Sequence, residues 1–504
     1  MQPRFAALTT LVLSPALLVG AWGLIPGWAA IPIALFAAAP VFLWLRGRER
    51  QLPPQHVSRR WLSLWLVLVL AATIQLGRVG VFVVDPDRHS YAALPHAELW
   101  ALYHVCFTGY TEAARLAAEG QTNIYDPSNY EANGQSRRIG RLIVDEYEYP
   151  PPFLPLPAAL SALTGEDVLR ARALFYGLQA VLLVMAMVAV AMRLPSGARV
   201  SAWLLIPGVV AAFQTILGMQ YGNFQSGAFA LAMVGMLAAT GPAAWYAMAA
   251  LAFAGASKLF PGLLLALLLG ARRYRAAAFT VTWMTAFALL SVWLFGMRPY
   301  VDFITYQLPA ISSGSGFAWA EYPMLVPINY GISGVVLKLG GLGLPGMTFA
   351  RAMQVASLYG LLIVGLAVVA GWRIWNGKSQ DAATAGGPML WLALLNLASF
   401  RSPYVADAQA TMGSLWLLSL VIATYSLRGW HLALATLAWI CWSLSFEGLA
   451  PHQPSVALLA FTLTNQTAVI LFNVGVLIVR LRPGRPAAVE VTTPAVPVVS
   501  HAAR

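Results

Sequence analysis

The chain has 504 residues, of which 59% are hydrophobic and only 10% charged, against roughly 45–50% and about 25% in soluble domains. That balance excludes an ordinary water-soluble enzyme and predicts an all-α polytopic membrane protein. The net charge of +12 is a matter of helix orientation and does not indicate a nucleic-acid partner.

In chain order, apolar runs near 6–24 and 27–46 form a hairpin with no cleavage-site pattern between them, so they are read as retained helices. A third run, 61–84, leads into a long polar segment, 85–165. Runs near 168–192, 199–217, 223–240, 243–257, 258–270 and 277–296 follow, then a second polar loop, 297–346. The last runs lie near 348–370, 386–400, 405–425, 430–449 and 455–479, giving about 14 helices. The pair 243–257 and 258–270 is too short for two full crossings and is expected to reach only part of the way.

Charge orients this series. Lys and Arg cluster at 46–60, 193–199, 271–275, 371–378, 426–430 and 480–485, whereas most acids lie in 85–167, 302–321 or near Asp407 and Glu447. The positive-inside rule places the basic loops and both termini in the cytoplasm and the acidic segments outside. The division is then 1–60, a transmembrane hairpin with a basic loop; 61–480, a transmembrane module with outer loops 85–165 and 297–346; and 481–504, a disordered cytoplasmic tail. The two cysteines, Cys106 and Cys441, stand in unrelated contexts and predict neither a disulfide framework nor a CxxC metal site.

Two long loops on many helices predict a site at the outer membrane boundary. Within the first of them, "VDEYEYPPPFLPLP" (144–157) is distinctive. Pro150, Pro151 and Pro152 stiffen it in an extended form, so it cannot be a regular spanning helix. Tyr147 and Tyr149 suit a membrane interface and can stack on sugar rings, and Phe153 onward is expected to enter lipid.

The run "FTGYTEAARLAAEGQTNIYDPSNYE", then "YEYPPPFLPLPAAL", "GMQYGNFQSGAFALAMVGMLAA", "LAFAGASKLFPGLLLALLLGARRYRAA", "PINYGISGVV" and "SFRSPYVADAQATMGSLWLL" resemble, in order, elements of glycosyltransferase family 87. The resemblance runs from about 104 to 425, with 6–46 as an addition. It implies a C-type (GT-C) membrane glycosyltransferase of the bacterial cytoplasmic membrane with its site on the outer face. The donor would be a polyprenyl-phosphate sugar carrying a hexose such as mannose, or a pentose, and the acceptor a glycolipid or glycan. Two departures stand out: Cys106 occupies the family's usual acidic position, and Ala408 and Gln409 replace a histidine pair. A lipid-linked glycan ligase or polymerase, or a non-enzymatic transporter or scaffold, are the alternative readings.

Transfer from a lipid phosphate requires a base for the acceptor hydroxyl and cations for the departing phosphate. The candidate bases are Asp87 and Asp85 where helix 61–84 leaves the membrane, then Asp145 and Glu148, then Glu112. Lys258, at a helix break before Pro261, and Arg401 are the candidate phosphate ligands. Asn223, Gln225 and Asn329, at helix ends on the same side, are expected to bind sugar hydroxyls beside Lys258. No cofactor follows from the sequence, and a metal is undetermined, although a divalent cation is compatible with the resemblance.

Overall fold

The computed structural model describes residues 4–482 apart from 54–56, 121–122, 133, 377–386 and 426. The tail expected over 481–504 lies outside the described residues from 483 onward. The protein is a mostly helical, polytopic membrane protein, and a helix stands at each of the fourteen places where an apolar run predicts one.

Among the described residues, eight helices are long and apolar enough to cross a bilayer, including Trp61–Val84, Val168–Ala191, Tyr274–Phe295, Phe349–Trp375 and Val456–Leu481. The pair Ser196–Ala211 and Phe213–Gln220, bent by 54°, can make a ninth span. Other expected helices are shorter: Gln225–Leu237, Ala244–Ser257, Phe260–Gly270 and Gly387–Ser399. At 1.5 Å of rise per residue, none reaches the ~20 residues a full crossing needs. They survive at membrane depth because neighbouring helices cover them, and Gly387–Ser399 is almost wholly buried.

The N-terminal hairpin is part of the body. Trp203 Nε1 donates to Thr9 Oγ1 at 2.9 Å, and Arg170 Nε donates to the Gly23 carbonyl at 3.1 Å. Buried Arg172 donates to the carbonyls of Phe82, Val83 and Gln220. It thereby ties the ends of the third span and of the bent pair together, satisfying groups the helix termini leave open.

The two expected loops are largely structured. The first holds helix Cys106–Glu119 and a small sheet, in which His104–Val105 pairs parallel with Leu142–Val144, and Arg138–Ile139 pairs antiparallel with the same strand. The second, 297–346, is mainly short helical pieces, including Arg298–Asp302, Ser315–Glu321 and Ile332–Gly341. The segments meet at one end of the bundle: the Tyr125 and Phe303 rings lie 5.7 Å apart, and His452 Nε2 lies 3.2 Å from Glu98. Phe153 and Leu154 do not enter lipid. Both are fully buried, and the Phe153 ring lies 5.1 Å from Phe224 and 6.2 Å from Phe253. The short helix Pro155–Leu163, too short to cross, carries the chain on to the next span.

Candidate functional site

The strip 145–150 is positioned from both sides. The Thr108 hydroxyl donates to the carbonyls of Val105 (2.6 Å) and Ile143 (3.0 Å) and accepts the Asp145 N–H at 3.1 Å. At the next residue of the same helix, a Cβ on Gly109 would come within 2.4 Å of the Asp145 carbonyl. Only glycine lets the helix lie this close to the strip. The three prolines end the strip, and Ser291 on a neighbouring span donates to the Pro151 carbonyl at 2.8 Å.

The two tyrosines have different surroundings. Tyr147 is 1% exposed, its ring among Tyr125, Tyr110 and Tyr149, and its hydroxyl donates to the Pro150 carbonyl. No face is left for a sugar, so its role is packing. Tyr149 receives the Tyr110 hydroxyl at 2.6 Å, stacks on Phe153, and has Lys258 Nζ 5.0 Å from its ring centre. Lys258 stands in an extended residue between Ala244–Ser257 and the turn Phe260–Gly262, where Pro261 prevents a continuous helix.

Around Lys258 the site is acidic and polar. Burial lowers the Lys258 ammonium to about 8, and the neighbouring Cys106 and Glu148 oppose that shift. Glu148 is half-buried; desolvation pushes its carboxyl up to about 8, Asp145 and Glu146 push the same way, and Lys258 opposes them. The Cys106 thiol is raised well above its ordinary range, first by burial and then by the Asp145 charge. His104 Nε2 lies 3.5 Å from Asp145 Oδ2 and 3.8 Å from Cys106 Sγ, and the Asn223 amide donates to Cys106 Sγ at 3.4 Å. Asn223 also accepts the Gln225 N–H at 2.9 Å, which fixes the start of helix Gln225–Leu237. Both amides are buried at this end of the bundle.

The remaining candidates lie elsewhere. Asp85 pairs with Arg88 at 3.0 Å, and Asp87 pairs with Arg141; both acids are well exposed. No contact joins either to Lys258 among the described residues. Glu112 is 6% exposed and held at 2.6 Å by each of Arg115 and Arg137. The two arginines hold its carboxyl below the usual range despite the opposing effect of burial, which is the largest single influence on it. Arg401 packs against Gly360 on the span Phe349–Trp375. Asn329 is spent on the backbone: its amide donates to the Pro403 carbonyl and its oxygen accepts from Gly331 and Val405. Its own carbonyl accepts Lys338 Nζ, which also donates to Gln466.

A second polar group, not singled out from the sequence, adjoins the first. Asp407 accepts the Ala408 N–H, the Ser445 hydroxyl and the Phe446 N–H at 2.7–3.0 Å. Glu447 is buried, and burial followed by the Asp407 charge raises its carboxyl well above the usual range. Glu447 Oε2 and the Tyr221 hydroxyl are both buried with no hydrogen-bond partner among the described residues. Tyr221 meets the edge of His104 at 5.5 Å and lies in the field of Glu447, Asp407 and Cys106, so it joins the two groups. The only hint in the sequence was the presence of two acids in otherwise apolar surroundings.

An open apolar groove of about 430 Å³ runs beside the strip, lined by Pro152, Pro155, Leu231, Phe253, Phe287 and Leu290 among others. Phe253 is five residues before Lys258 on the same helix, about 7–8 Å of rise. A larger opening, near Ser312 and Met353, has none of the charged groups named above in its lining.

The sequence profile described as Glycosyltransferase family 87 matches residues 147–403, a little over half of the chain. The match includes Glu148, Tyr149, Lys258 and Arg401 and stops short of His104, Cys106, Asp145, Asp407 and Glu447. No curated protein and no solved structure matches.

Proposed function

The chain belongs to glycosyltransferase family 87, a family of membrane glycosyltransferases, and we propose that its donor is a polyprenyl-phosphate sugar and its acceptor a glycolipid or glycan on the outer face. The observation that carries this reading is the convergence on Lys258 of a cation, a carboxylate and an apolar groove. A polyprenyl chain fits the groove along Pro152, Phe253 and Leu290. Its phosphate then reaches Lys258, the cation at the end of helix Ala244–Ser257. The basic clusters in the loops expected on the cytoplasmic side support an outer position for this site.

In the reaction, the acceptor oxygen attacks the anomeric carbon as the carbon–oxygen bond to the phosphate breaks. The phosphate leaves as an anion held by Lys258 and needs no general acid. The acceptor proton passes to Glu148, whose raised pKa suits it to accept a proton near neutrality. Asp145, on the same strip, is the alternative base. The Tyr221 hydroxyl and Glu447, buried with unused hydrogen-bonding capacity, supply partners for sugar hydroxyls. Asp85, Asp87 and Glu112 then serve the surface and the packing of the first outer segment.

The test is transfer by the purified protein in lipid nanodiscs, with labelled sugar offered either on polyprenyl phosphate or on a nucleotide. Transfer from the lipid donor alone supports the reading. Transfer from the nucleotide alone overturns it.

A further inference from the structure

The parallel pairing of His104–Val105 with Leu142–Val144 has a chemical consequence beyond sugar transfer. The register sets His104 against Ile143 and Val105 against Val144, so the next residues, Cys106 and Asp145, come side by side. His104 and Cys106 are two apart and share a face as the strand ends. An imidazole nitrogen, a sulfur and a carboxylate oxygen therefore converge, all within 4.8 Å of one another.

We propose that His104, Cys106 and Asp145 form a binding site for a divalent transition-metal ion, zinc by the chemistry of its ligands. A tetrahedral zinc ion with bonds of about 2.0–2.3 Å separates its ligand atoms by roughly 3.3–3.7 Å. His104 Nε2 lies 3.5 Å from Asp145 Oδ2 and 3.8 Å from Cys106 Sγ, close to those edges. The third edge closes by rotation of the Cys106 and Asp145 side chains. Thiolate, imidazole and carboxylate together favour zinc over magnesium or calcium.

The surroundings fit a metal site. Trp100 stacks on the His104 ring at 4.4 Å and Tyr221 meets it edge-on, which fixes its plane. The Asn223 amide donates to Cys106 Sγ, the outer-shell contact a metal-bound thiolate uses. A zinc ion with one thiolate and one carboxylate is neutral overall, so burying it beside Lys258 costs little. The Asp145 side chain is 27% exposed, which leaves a path for water to the fourth coordination position. The site does not depend on the sugar-transfer reading.

The experiment uses full-length protein with its purification tag removed, in nanodiscs, stripped by a chelator and then equilibrated with zinc or cobalt. A single equivalent of zinc should survive desalting. The cobalt form should show a thiolate-to-cobalt charge-transfer band in the near ultraviolet. Cys106→Ser and His104→Gln should each weaken zinc binding by more than the ~10–100-fold typical of outer-shell losses, while Cys441→Ser keeps the metal. The proposal fails if wild-type protein retains no zinc, if Cys106→Ser retains it, or if the cobalt form lacks the thiolate band. The cobalt spectrum of wild-type protein decides the question even if a ligand variant does not fold.

Discussion

Lys258 Nζ stands 5.0 Å from the centre of the Tyr149 ring, joining the break between two short helices to the proline-bounded strip. A cation on an aromatic face gains about 0.5–2 kcal/mol. Tyr149→Leu should therefore weaken donor binding several-fold without abolishing transfer. Tyr149→Phe keeps the ring and should bind donor nearly as well as wild type. Equal losses in the two variants, measured as donor affinity, would place the effect in the Tyr110–Tyr149 hydrogen bond instead.

Glu148 sets the expected pH dependence. Its carboxyl is raised to about 8, chiefly by burial, and only the ionised form accepts a proton. Activity should rise with pH towards about 8 as Glu148 ionises, and fall again above that value as Lys258, lowered to about 8 by burial, loses the charge that holds the phosphate. The Glu148 shift also means that the folded state binds this carboxyl's proton more tightly than the unfolded chain does. Glu148 therefore opposes folding increasingly as pH rises from the ordinary carboxylate range to about 8. A pH–rate profile of the purified protein checks the first point, and a flat profile between pH 6 and 9, a window of about one to two units either side of that value, would remove Glu148 as the base.

Gly109 holds no chemical group, yet the strip depends on it. A Cβ there meets the Asp145 carbonyl at 2.4 Å, so Gly109→Ala must push the helix off the strip. The expected result is a loss of stability of about 1–3 kcal/mol, as overpacking usually costs, and a larger loss of transfer than Ala113→Gly on the same helix. Thermal unfolding and transfer assays of both variants make the comparison.

Much of the architecture was legible because spanning helices announce themselves by length and hydropathy: each apolar run became a helix. The expected partial depth of 243–257 and 258–270 followed from length alone, and both helices are short. The sheet was not legible, since strands of two or three residues are too short to show a period. That sheet sets Cys106 beside Asp145, so their meeting was hidden too. Asp85 and Asp87 looked like a motif because of their spacing. Exposure and the partners Arg88 and Arg141 show what spacing could not. Asn329 matched a family element, but its side chain is used up on Pro403, Gly331 and Val405. Tyr221, Asp407 and Glu447 come from three distant segments, and no local pattern joins them.

Sidedness can be read directly. Ser136 and Ser313 are exposed, one in each segment flanking the site. Cysteines at these positions, in a Cys441→Ser background with Cys106 kept because it is buried, should react with a membrane-impermeant thiol reagent on intact spheroplasts. Labelling of one and protection of the other would separate segments that one site requires on the same side.

The division of labour between Lys258 and Glu148 is tested most directly by measuring donor binding and transfer in one preparation of each variant. A charge-assisted contact to phosphate contributes about 2–3 kcal/mol, so Lys258→Met should lose roughly 30–150-fold in donor affinity and should also transfer slowly. Glu148→Gln should bind the polyprenyl-phosphate sugar like wild type and turn over about 10²–10⁴-fold more slowly. If Lys258→Met binds and transfers like wild type, or if Glu148→Gln retains full turnover, this assignment of the site is contradicted.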